Sequence, residues 1–162
     1  MADPRPNQPG GSTKALASLT VEMGRFNAKL NAYVKAYHLN LAETVKTSAF
    51  RLEAMIKSRT PVDTGRARNS WHTVIYGGPT GYSYKDNNGK SFDGTLTDSE
   101  GTPKTDTHAV VGSALVYMLA LESGWSRQAP NGMVRVSTKE FRGQMVAAIA
   151  AIPQKIRGVT GA

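Results

Sequence analysis

The chain has no cysteine. Disulfides, thiolate metal sites and thiol chemistry are therefore excluded, while the redox compartment stays open. Histidine is scarce: His38, His72 and His108 stand far apart, in no H-x-x-H or H-E-x-x-H spacing. A metal site needs several convergent donors, and none is recognisable. No apolar run approaches the roughly 18 residues that a membrane-crossing helix needs. A G-x-x-x-x-G-K-[ST] phosphate loop and a G-x-S-x-G elbow are also missing. The nearest look-alike, Asn88-Gly89-Lys90-Ser91, sits in a polar stretch and not behind a buried strand. Asp63, Glu122 and Glu140 each have a structural role available, in a turn, a helix end and a capping box. Paired-carboxylate catalysis is not indicated, and neither an enzyme, a metal nor a cofactor is expected.

What is present is a basic chain of one-domain size: 162 residues, 20 Lys and Arg against 12 acids, net charge +8. Cations dominate both ends, while residues 78–106 carry Lys85, Lys90 and Lys104 against five acids. A basic body with one acidic loop is attracted to DNA or to an acidic protein surface. Residues 1–14 are polar, rich in Pro and Gly and without an apolar core, so they read as a disordered arm and not as a secretion signal.

From Leu16 the apolar residues Leu19, Met23, Phe26, Leu30, Tyr33 and Tyr37 follow at alternating spacings of three and four. This is one helical stripe of coiled-coil period. A second stripe runs through Leu41, Val45, Ala49, Leu52 and Ile56, with Asn40 and Glu43 as a capping box. A single helix from Lys14 to Arg59 would be on the order of 65–70 Å long. That exceeds what a domain of this size covers. The helix is expected either to bend near His38–Asn40 or to project towards another chain.

The stretch from Thr60 to Trp71, T-P-V-D-T-G-R-A-R-N-S-W, follows. Pro61 stops the helix, Asp63 and Thr64 favour a turn, and Gly65 supplies an angle that other residues resist. Arg66 and Arg68 then share one face if a strand has begun. Further on, 69–76 and 107–112 read as strands, 78–106 as a long flexible loop, and 114–122 as a short helix with Leu115, Met118, Leu119 and Leu121 inward. Gly124 fits the cap of that helix. Met133–Val136 reads as a third strand, and Ser137-x-x-Glu140 as a capping box opening a last helix through Phe141, Met145, Ala148, Ile149 and Ile152. Pro153 marks a kink or end, and 158–162 a frayed tail. Trp125 either forms an aromatic–cation surface with Arg127 or packs over the sheet.

The domain is thus expected at 15–157. Its class is α+β: a small, mostly antiparallel sheet flanked by a long N-terminal helix and a C-terminal helix.

Two runs, P-V-D-T-G-R-x-R-x-x-W at Pro61–Trp71 and L-E-S-G-W-S-R-Q-A-P-N-G-M-V-R at Leu121–Arg135, together resemble the neck or tail-completion proteins of long-tailed bacteriophages, also called minor tail or tail-component proteins. The resemblance covers residues 40–155. Members commonly carry Tyr-Ala before the Leu-Glu and Gly-Thr after it, whereas here Tyr117 lies four residues earlier and Trp125 follows Gly124. The resemblance implies a structural virion protein, assembled in the host cytoplasm as a ring of six or twelve copies where head meets tail. Its partners would be head-closure and tail-terminator or tail-tube proteins, with genomic DNA passing without sequence specificity and no membrane involved. Arg66, Arg68, Trp71, Glu122, Trp125 and Arg127 would serve the contacts between subunits or rings, and Pro61, Asp63, Thr64 and Gly65 the turn. A competing reading is a basic DNA-binding protein, but the cations are spread around the helices and no groove-reading module is recognisable.

Overall fold

Residues 12–59 contain no proline and one glycine, Gly24, so nothing interrupts helical hydrogen bonding. In the computed structural model they form one unbroken helix, α1 (Ser12–Arg59), of 48 residues, about 72 Å long at ~1.5 Å per residue. The structure describes residues 12–75, 78–96 and 107–160, with side chains for 21–75, 78–96 and 107–157. Residues 12–14 of the expected arm belong to α1, while residues 1–11 of it, residues 97–106 of the acidic stretch and the last two residues lie outside these ranges. Helical structure continues without interruption through His38–Asn40. Asn40 is an interior residue and no cap: its Nδ2 donates to the Ala36 carbonyl at 2.9 Å, and its own carbonyl accepts from Thr44 Oγ1 at 2.7 Å.

After Pro61 come α2 (Arg66–Asn69), β1 (His72–Ile75), β2 (Gly81–Lys85), β3 (Ser91–Thr95), β4 (Ala109–Gly112), α3 (Met118–Glu122), α4 (Val134–Ala150) and α5 (Ile152–Thr160). β1 pairs antiparallel with β4, from His72 opposite Gly112 to Ile75 opposite Ala109. β2 pairs with β3, from Gly81 opposite Thr95 to Lys85 opposite Ser91. The class is α+β as expected, but the sheet is two separate antiparallel pairs.

Three expectations need correction. Arg66 and Arg68 begin no strand: they lie in the one-turn helix α2, where residues two apart point to different sides. The stretch 81–95 is no flexible loop but a hairpin. Tyr82, Tyr84 and Phe92 alternate towards one half-buried face, and Gly89 turns the chain at φ +82°. The Asp86 carboxylate accepts from the Asn88 and Lys90 amides within that turn. Met133–Val136 forms no third strand, because α4 has already begun at Val134. Ser137 is consequently no cap. It is buried inside α4 and accepts a hydrogen bond from Arg59 Nη1 at 3.0 Å, while Glu140 pairs with Arg59 Nη2 at 2.6 Å.

The core lies under the second half of α1. Ile56, Trp71, Met118, Ala129 and Met133 form one buried cluster, edged by Leu52, Leu115, Leu121 and Val134. Phe141, Ile152 and Ile156 bury the inner sides of α4 and α5, both of which pack on α1. Leu119, expected inward, is 76% exposed. At Ala151 the chain breaks between α4 and α5, two residues ahead of the proline expected to mark the kink.

Candidate assembly interface

The corner between α1 and β1 is built from both ends. The carbonyl of Ile56 accepts from Thr60 Oγ1 at 2.8 Å, and Thr60 Oγ1 in turn accepts from Trp71 Nε1 at 2.9 Å. Gly65 sits at φ +76°, and a Cβ there would lie 2.1 Å from the Asn87 side chain. That close approach lets the Asn87 amide donate to the Thr64 carbonyl at 2.8 Å, seating the hairpin turn on the corner. The hairpin is held further along by Asn69 Nδ2 on the Lys85 carbonyl, and by Tyr82, whose hydroxyl donates to the Ser70 carbonyl and accepts from the Ala114 amide. Burial raises the Tyr82 hydroxyl above its ordinary value. A ladder of stacked rings, His72–Tyr82–Tyr84–Phe92, runs across the hairpin and ends under the Arg66 guanidinium, 4.1 Å from the Phe92 centroid.

The second run, Leu121–Arg135, closes around Glu122. Its Oε2 accepts the amides of Met133 and Val134 at 2.7 and 2.8 Å, and its Oε1 that of Arg135 at 2.9 Å. Three donors at the start of α4 would otherwise lack partners. Burial pushes the Glu122 carboxyl up, but these amides and the Arg135 charge outweigh it and hold the group below its ordinary value. Gly132, at φ +76°, admits the carboxylate, since a Cβ there would lie 2.6 Å from Glu122 Oε1. Gly124, at φ +87°, similarly passes close to the Pro130 carbonyl and caps α3 as expected. The two runs meet where the Val62 amide donates to Gln128 Oε1 at 3.1 Å.

The residues expected at contacts therefore divide. Trp71 is 5% exposed and anchors the core, and Glu122 is engaged with the α4 amides. Arg66 is stacked on Phe92. Arg68 reaches the Thr60 carbonyl through Nη2 and faces a polar cleft with Gln128 and Asn131. Trp125 and Arg127 are exposed. At 83% exposure Trp125 does not pack over the sheet.

Among the described residues, the first half of α1 presents a long exposed surface. All residues from Val21 to Lys35 are exposed, and among them Met23, Phe26, Leu30 and Tyr33 carry the predicted stripe. A row of large apolar groups on a projecting helix is the sign of a protein contact. Among the described residues no cluster of His, Asp or Glu could hold a metal, and no helix is long and apolar enough to cross a membrane.

The family model described as "Bacteriophage HK97-gp10, putative tail-component" matches residues 24–102. Over that stretch, just under half of the chain, the sequence is similar to this family. The match agrees with the resemblance to phage tail-component proteins read from the sequence. It runs from Gly24 through the rest of α1, the corner and the hairpin, and so includes Phe26, Leu30 and Tyr33 of the exposed stripe. Neither the curated proteins nor the solved structures give a match to the chain.

Proposed function

We propose that this HK97-gp10-like chain is a ring subunit of the neck, completing the tail and helping to join it to the capsid. The observation that carries this reading is the unburied stripe on α1. Its three-and-four spacing matches a partner helix, and burial of such groups contributes about 1.5–3 kcal/mol for each side chain fully covered. Assembly, and not catalysis, is then the function. Six copies is the expected number. The net charge of +8 suits a conduit through which DNA passes without sequence readout. Head-closure and tail-terminator or tail-tube proteins are the neighbours such a ring would touch, and Arg127, with the Arg68 cleft, offers guanidinium groups for their carboxylates.

Complementation tests the reading. A phage lacking this chain should yield separate heads and tails by electron microscopy, and the native chain supplied from a plasmid should restore joined particles carrying it at the junction. Normal particles without the chain would refute the role. Steep, salt-sensitive binding of duplex DNA by the isolated protein near 0.15 M salt would favour a DNA-binding protein instead.

A further inference from the structure

Apart from the α1 stripe, two more apolar surfaces lie open at separate places. One is a knob around α3: Val116 is 96% exposed, Leu119 76% and Trp125 83%, with Tyr117 also exposed. The Trp125 amide donates to the Ala120 carbonyl at 3.2 Å, which fixes the base of the indole at the end of that helix. The other is a groove of about 450 Å³ between α1, β4 and α4, walled by Val45, Ala49, Leu52, Val111, Phe141 and Met145. No knob residue lines the groove.

We propose that the Trp125 knob of one copy docks in this groove on the next copy. The inference rests on the oligomer reading above and specifies its second contact. Every copy carries one knob and one groove, so each contact satisfies one copy's knob and its neighbour's groove. A contact between two different patches is heterologous, and it generates a ring when the rotation closes. A twofold pairing of α1 stripes, by contrast, would give only dimers. The chemistry is matched on both sides: an exposed indole with a leucine beside it meets aliphatic walls and the Phe141 ring. Arg142, which also lines the groove, supplies a guanidinium for the indole face. Rigid aromatic anchors of this kind dominate interface energetics.

The absence of native cysteine makes the test direct. Val116→Cys, which keeps the Trp125 indole, and Met145→Cys are prepared as separate full-length proteins, checked for native circular dichroism, mixed under assembly conditions and oxidised. The mixture should give a disulfide-linked dimer joining positions 116 and 145, at least fivefold above either variant alone. Acrylamide quenching of the native protein should lose its accessible tryptophan component on assembly, because Trp71 is already buried. A multimer that forms without the 116–145 link and with Trp125 still quenchable overturns this docking while leaving the ring intact. A chain that stays monomeric at every concentration overturns the oligomer reading itself.

Discussion

The Trp71 indole donates to Thr60 Oγ1 at 2.9 Å, and both residues are buried. The two ends of the corner are thereby joined inside the core, and the direction of α1 is tied to that of β1. Thr60→Val keeps the volume but leaves the indole N–H without an acceptor. It should cost about 1–3 kcal/mol, read as a lower urea midpoint with an unchanged m-value.

Glu122 makes stability depend on pH. Its folded carboxyl lies below the ordinary 4.5, so the folded state binds this proton less readily than the unfolded state. The contribution is complete above the unfolded value and is lost as pH falls from there through the folded one. Glu122→Gln should lower stability by about 2 kcal/mol at pH 7. It should also flatten the decline below pH ~5 that the native chain shows in urea titrations. Equal slopes for the two proteins would mean that the three amides do not hold the charge.

Two glycines should respond in opposite directions. Gly132→Ala places a Cβ 2.6 Å from the Glu122 carbonyl at a φ of +76° and should destabilise by more than ~1 kcal/mol. Gly24→Ala meets nothing within 4 Å in the interior of α1, and should add about 0.5–1 kcal/mol to helix stability. Helical ellipticity and thermal midpoints separate the two.

The hairpin is held by the corner, and Phe92→Ala should loosen it. Removing the ring leaves Arg66 without its stacking surface and should cost about 2–3 kcal/mol for a half-buried aromatic. Hydrogen exchange at Tyr82 and Tyr84 should accelerate in step with that loss. Deleting the hairpin should perturb the fold as well as any assembly, because Tyr82 bonds to both Ser70 and Ala114.

The long periodic elements were readable in the sequence, because a 3.6-residue apolar stripe needs only local information. The corner was readable too: Pro61 and Gly65 act through their own backbone limits, and Gly65 does take the positive φ that its place required. What escaped reading depends on distant partners. Glu122 caps a helix that starts twelve residues later, so Val134 opened α4 where Ser137 and Glu140 had the better local signature. The hairpin did leave a signal in the Tyr-x-Tyr alternation and the Asn-Gly pair ahead of Phe92, obscured by the polarity of its surroundings. Trp71 and Trp125 looked equivalent as residue types, and only tertiary placement turned one inward and the other out.

The central claim is that the α1 stripe exists to be covered by another copy. Sedimentation equilibrium or native mass measurement of the purified chain, beside the double variant Phe26→Glu, Leu30→Glu, tests it most directly. Both residues are exposed, so the variant should keep its fold and its ellipticity. The account predicts a discrete multimer of six copies for the native chain and, for the variant, a folded chain that no longer forms it. A native chain that is monomeric throughout, or a variant that assembles as the native chain does, would contradict it.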